Sequence, residues 1–169
     1  MRRGIEKNMS GLKLTPEMNA LLARIRGLAE AAPSLEALET GVVGVIAEEL
    51  LHYNWTGFYM LDPEDAETLV LGAFHGEPTP HVRIPVSEGI CGAAVATGET
   101  VVVDDVNADP RYLSCSIRTK SEIVVPVYAR GKVVGEIDID SHAAAAFAEM
   151  DRAFLEAVAR IVGEWVEGH

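Results

Sequence analysis

The sequence predicts an α+β domain, an antiparallel sheet with helices packed on it. Three observations carry this. Two capped segments with helical apolar spacing open the ordered chain. From residue 54 the apolar period shortens to that of strands joined by tight turns. A long amphipathic segment then closes the chain. At 169 residues the chain has room for one real core and little for two.

Residues 1–14 read as a loose N-terminal extension, and the domain is expected to run over 15–169; Met9 offers an alternative start. Thr15-Pro16-Glu17 is a helix start, with a Thr cap, Pro at the first helical position and an acid in the first turn. Leu21, Leu22, Ile25 and Leu28 follow at helical spacing until Ala32-Pro33 stops the helix. Ser34 caps a second helix with its stripe at Leu35, Leu38, Val42, Val45, Ile46 and Leu50.

NWTGFYML (54–61) is strand-like, Asp62-Pro63-Glu64-Asp65 is a turn, and TLVLGAF (68–74) is the returning strand. HVRIPV (81–86) is a short strand. SEGICGAAVATGE (87–99) holds a short helix over about 89–97. TVVVDDV (100–106) is a strand with Asp104-Asp105 as a turn or cap at its end, and 107–120 is a long loop. EIVVPVYA (122–129) and KVVGEIDID (132–140) flank Arg130-Gly131 as a hairpin. Phe147, Met150, Phe154, Leu155, Val158, Ile161, Val162 and Trp165 mark the closing helix. Short connections imply an antiparallel sheet, with the helices expected on one face.

The net charge of −12 argues against nucleic acid, which needs a basic footprint, and against anionic membranes. No apolar run reaches the ~20 residues that span a bilayer. The first residues lack the apolar centre of a signal peptide, so a cytoplasmic setting is expected, with two cysteines in a reducing compartment.

Those cysteines are Cys91 and Cys115. Cys91 near a helix N-terminus is either a thiolate favoured by the dipole or a small core residue among Gly and Ala. Cys115 is either a thiolate stabilised by Arg111, Arg118 and Lys120 or an incidental loop thiol. Their spacing matches no CxxC motif. The histidines lack HxH, HxxxH or HExxH spacing, and no metal site is expected. Glu122, Asp138 and Asp140 interrupt apolar strand patterns, and the two aspartates share a face. They either face water or, with Trp55 and Tyr59, line an acidic cup with an aromatic wall. Such a cup suits a small cationic group such as an α-ammonium.

From about 35 to 165 the chain resembles a GAF domain, and more narrowly the free methionine-R-sulfoxide reductases. The segments that carry the resemblance are NWTGFYML, TLVLGAFHGEP (68–78), VRIPVSEGICGAA (82–94), VVVDDV (101–106), TKSEIVVPV (119–127) and GKVVGEIDIDS (131–141). The resemblance implies a six-stranded antiparallel sheet flanked by helices. It implies reduction of free methionine sulfoxide by a cysteine thiolate, with no bound cofactor and thioredoxin as external reductant. Cys115 then stands at the catalytic position, Cys91 at the resolving one, Glu122, Asp138 and Asp140 at the substrate-binding acids, and Trp55 and Tyr59 at the aromatic wall. Where family members often carry a third cysteine this chain has His81, and YLSCS surrounds Cys115 in place of a segment like HIACD.

The implied chemistry is attack of the Cys115 thiolate on sulfur, protonation of the sulfoxide oxygen by a carboxyl, a sulfenic acid on Cys115, and a disulfide with Cys91. Alternatives are a non-catalytic GAF module binding an amino-acid-like metabolite and, more remotely, a cyclic-nucleotide sensor, whose phosphate the acidic cup opposes. The terminal helices suggest a homodimer.

Overall fold

The structure, a computed structural model, describes residues 12–114 and 116–169. Cys115 and most of the expected N-terminal extension therefore lie outside the described residues. Helix α1 (Pro16–Ala31) starts where Thr15 accepts a hydrogen bond from the Met18 amide at 3.1 Å. Helix α2 (Leu35–Glu49) is capped in the same way by Ser34, which accepts from the Ala37 amide at 3.2 Å.

Strands β1 (Trp55–Asp62) and β2 (Asp65–His75) meet at the expected turn, tightened by the Glu64 amide donating to Asp62 at 2.9 Å. Strand β3 (Arg83–Pro85), helix α3 (Gly89–Thr97) and strand β4 (Val101–Val103) follow. Both short strands are shorter than the sequence pattern predicts. β4 ends early because Asp105 turns the chain into a 3₁₀ turn, Val106–Ala108, by accepting from the Asn107 amide at 3.0 Å. Strands β5 (Ser121–Ala129) and β6 (Lys132–Ser141) form the predicted hairpin. Arg130 at φ 51° and Gly131 at φ 74° give the two positive dihedrals that a tight two-residue turn needs. Helix α4 (Glu149–Glu167) closes the chain.

The six strands form one antiparallel sheet in the order β3-β2-β1-β6-β5-β4. Alternation along each strand divides its residues between two cores. On one face Phe58, Ile123, Val125, Val127, Ile137 and Ile139 pack under α1, α2 and α4. Phe154, Leu155, Val158 and Val162 of α4 are fully buried there, each contributing about 1.5–3 kcal/mol of burial. On the other face Trp55, Tyr59, Leu69 and Val124 pack against Ile90, Cys91 and Ala94 of α3.

The expectation that the helices share one face is corrected by α3, which covers the opposite one. It can do so because it is apolar on its sheet side and comes close to the backbone. A Cβ on Gly92 would press on the Val86 carbonyl, 2.7 Å away. Among the described residues no helix is long and apolar enough to cross a membrane.

Candidate active site

The face under α3 carries the polar residues. Along β6, Glu136, Asp138 and Asp140 point the same way because the side-chain period is two. Register then fixes their neighbours. Asp140 lies opposite Trp55 on β1 and Glu122 on β5, Asp138 opposite Gly57 and Val124, and Glu136 opposite Tyr59. The indole of Trp55 lies over Gly57, where any Cβ would collide with its ring. It stacks on Phe74 at 5.7 Å and faces Tyr59 at 6.2 Å between ring centroids.

Both aromatic residues also hold the segment after β2. Trp55 Nε1 donates to the Glu77 carbonyl at 3.0 Å, and the Tyr59 hydroxyl donates to the His81 carbonyl at 2.7 Å. These two bonds pin 77–81 along the rim of the site.

From the other side, α3 delivers Cys91. Its thiol donates to Asp138 Oδ2 at 3.5 Å. Burial pushes the thiol well above its usual range, and the charges of Asp138, Glu136 and Glu122 push it the same way. A thiolate favoured by the helix dipole, one of the two readings open from sequence, does not survive this. Desolvation and three carboxyl groups oppose the dipole of a nine-residue helix, and they favour the neutral thiol at Cys91. Asp138 is hydrogen-bonded to Glu122, and burial holds its carboxyl above the ordinary value. Burial raises Glu136 further, and neither of its carboxyl oxygens has a hydrogen-bond partner at ordinary geometry among the described residues.

Residues 109–114 and 116–120 close over these groups. Asp109 and Arg111 pair at 2.7 Å, and Leu113 lies against Gly89. The Ser114 carbonyl meets His81 Nε2 at 3.1 Å, the Ser116 hydroxyl donates to Glu77 at 3.1 Å, and Arg118 pairs with Glu77 at 3.2 Å. Two cavities of about 20 Å³ each remain, room for about one water apiece. Tyr59, His81, Cys91, Glu122 and Asp138 line one; Trp55, Glu77, Ser116, Asp140 and His142 line the other.

The sheet thus brings Trp55, Tyr59, Cys91, Glu122, Asp138 and Asp140 to one buried face. The sequence reading passed over Glu136, although its period-two spacing from Asp138 and Asp140 is the same signal that singled those out. It could not foresee Glu77, which reaches the site through the backbone bond to Trp55.

This architecture is that of an α+β domain with a buried polar face, and a family model for the GAF domain matches residues 35–164. The chain belongs to the GAF domain family. Within it, the free methionine-R-sulfoxide reductase of Escherichia coli (strain K12) is 35% identical over 138 residues, covering 82% of this chain and 77% of that protein. The free methionine-R-sulfoxide reductase of Saccharomyces cerevisiae is 41% identical over 112 residues, covering 66% of this chain and 62% of that protein. The X-ray structure of free methionine-R-sulfoxide reductase from Neisseria meningitidis in complex with its substrate is 33% identical. It superposes with a TM-score of 0.83 over 92% of this chain and 93% of that one. Kinship at this level places the chain in an enzyme family of oxidoreductases.

Proposed function

We propose that this chain reduces free L-methionine-R-sulfoxide to methionine. The observation that carries the reading is the buried Cys91–Asp138–Glu122 cluster set on the same sheet face as Trp55 and Tyr59. A zwitterionic amino acid brings an ammonium that carboxylates and aromatic faces hold, and a sulfoxide oxygen that must be protonated to leave.

In this reading the Cys115 thiolate attacks the sulfoxide sulfur. A carboxyl of the Glu122–Asp138 pair, with Asp138 raised by burial against the lowering effect of its hydrogen bonds, delivers a proton to the oxygen. The S–O bond breaks as the protonated oxygen passes to the Cys115 sulfur, the Cys115–methionine sulfur bond is released, methionine leaves with its sulfur reduced by two electrons, and Cys115 is left as a sulfenic acid. The Cys91 sulfur then forms the disulfide with Cys115, its proton and the sulfenic hydroxyl leaving as water. Thioredoxin reduces the disulfide through a mixed disulfide and restores both thiols.

The cavities between the described residues are smaller than an amino acid, so binding requires their lining at Leu113, Ser116 and Thr119 to move aside. The ties that hold it are polar and mostly near the surface. The Arg118–Glu77 pair has both partners at least half exposed, at 66% and 50%, and such pairs hold weakly. The enzyme is further read as one domain over 15–169, cytoplasmic and homodimeric, with no bound cofactor. A sedimentation mass of one chain would dismiss the dimer.

The test is a coupled NADPH assay with thioredoxin, its reductase and free L-methionine-R-sulfoxide. Turnover lost in Cys115→Ser supports the reading. Binding of the same ligand without turnover, and without loss of two thiols per chain, would make the chain a sensor of an amino-acid-like metabolite.

A further inference from the structure

Three buried side chains with metal-binding donors converge from three separate elements. Cys91 comes from α3, Glu122 from β5 and Asp138 from β6, and one donor atom of each lies within 4.8 Å of the other two. Cys91 Sγ and Asp138 Oδ2 are 3.5 Å apart. A sulfur and an oxygen bound to one tetrahedral zinc, at about 2.3 and 2.1 Å from the metal, stand about 3.6 Å from each other. That pair is already at ligand spacing, and side-chain rotation of about 1 Å brings in Glu122.

A second observation points the same way. Glu136 is 0% exposed, neither of its oxygens has a hydrogen-bond partner at ordinary geometry among the described residues, and the Cys91 thiol is its polar neighbour. Buried carboxyl groups are normally matched by donors or cations. Neither Glu136 nor Asp138 forms an ion pair among the described residues. Arg111, whose charge Glu122 influences, is itself paired with Asp109. Among the described residues Cys91, Glu122, Glu136 and Asp138 supply oxygen and sulfur donors to one buried region.

We propose that Cys91, Glu122 and Asp138 form a binding site for a thiophilic divalent cation, zinc above all. Cys91 Sγ and one carboxylate oxygen from each acid are the ligands, the fourth position is open to water, and Glu136 stands behind the thiolate. The mixed set of one sulfur and two oxygens suits zinc or cobalt better than magnesium or calcium, which take oxygen alone. Binding replaces the thiol proton by the metal and releases that proton to solvent. The bound metal occupies the thiol and the acids that the proposed reductase needs, so metal and turnover exclude each other. Only this consequence rests on the proposed function; the site itself does not.

The experiment titrates the reduced full-length chain with Co²⁺ in the absence of substrate and of any reductase system. The expected result is one cobalt per chain, with a thiolate-to-cobalt charge-transfer band in the near ultraviolet and intense tetrahedral bands in the visible. Zn²⁺ displaces the cobalt and abolishes both. The band is lost in Cys91→Ser and kept in Cys115→Ser. Glu136→Gln, which leaves the three ligands in place, weakens binding by roughly tenfold or more. No charge-transfer band at millimolar cobalt overturns the proposal, as does a band that survives in Cys91→Ser or disappears in Cys115→Ser. Because no turnover is read, a failed reductase assay leaves this result standing, and a failed cobalt titration leaves the reductase standing.

Discussion

Cys91 Sγ donates a hydrogen bond to Asp138 Oδ2 across 3.5 Å, joining residues 47 positions apart in the chain. Burial is the largest influence on the chemical state of the thiol, and the Asp138 carboxyl acts in the same direction. A sulfur held in its neutral form by burial and carboxylates reacts slowly, and only the thiolate is nucleophilic. Iodoacetamide is therefore expected to modify Cys91 at least about tenfold more slowly in the folded protein than in urea. The comparison is made at one pH in a Cys115→Ser background by mass spectrometry. Equal rates would contradict the buried, protonated thiol.

Trp55 ties the rim to the sheet through its bond to the Glu77 carbonyl. Trp55→Phe keeps an aromatic ring but removes the donor. With a bond of about 1 kcal/mol lost, KM for free methionine sulfoxide should rise about fivefold with kcat little changed. Steady-state kinetics separate the two constants; a fall in kcat alone would place Trp55 in the chemistry rather than in holding the site closed.

Glu39 of α2 reaches the irregularity between β1 and β2 and accepts from the Ala73 amide at 3.3 Å, while its other oxygen has no partner among the described residues. Burial raises its carboxyl above the ordinary 4.5, against the lowering effect of the Ala73 amide. The native state then holds the proton more tightly than the unfolded chain does. The resulting loss of stability is absent below the unfolded value and grows as pH rises through the folded one. Glu39→Gln, which keeps an acceptor for Ala73, should flatten this decline and be the more stable protein at neutral pH. Urea unfolding from mildly acidic to neutral pH tests it; parallel curves for the two proteins would refute it.

Tyr53 donates to Asp151 at 2.5 Å, and the same carboxylate accepts from the Ala148 amide at the start of α4. Tyr53→Phe leaves Asp151 short of a donor in a largely buried position. The expected cost is about 2 kcal/mol, read as a lower urea midpoint with an unchanged slope.

Gly163 is where α4 passes over β5, and a Cβ there would run into the Tyr128 carbonyl. Gly163→Ala should cost about 3 kcal/mol, although alanine is the better helix former. A neutral or stabilising effect in thermal melts would show that α4 can ride higher on the sheet than it does here.

Much of the fold was legible from local chemistry. Thr15 and Ser34 cap their helices because hydroxyls answer amides three residues on, and Arg130-Gly131 turns because a two-residue hairpin needs positive dihedrals. The alternation in EIDID puts Asp138 and Asp140 on one face whatever the rest of the chain does. These are consequences of residues within a few positions of each other, and the sequence determined them. Strand β4 was overread because Asp105 ends it by an amide bond that apolar periodicity does not record.

The tertiary structure decided what depends on partners far apart in the chain. It put α3 on the face opposite the other helices, and so laid Cys91 on Asp138 and Glu136. Whether the thiol keeps its proton depends on that burial and those charges, and a helix N-terminus viewed alone pointed the other way. It turned Glu136 from one more acid of a strand into a fully buried carboxyl beside the Cys91 thiol. It also tied Glu77 and His81 to Trp55 and Tyr59 through backbone carbonyls, which no side-chain pattern encodes. Desolvation and long-range pairing are properties of the packed molecule, because they appear only when distant segments exclude water together.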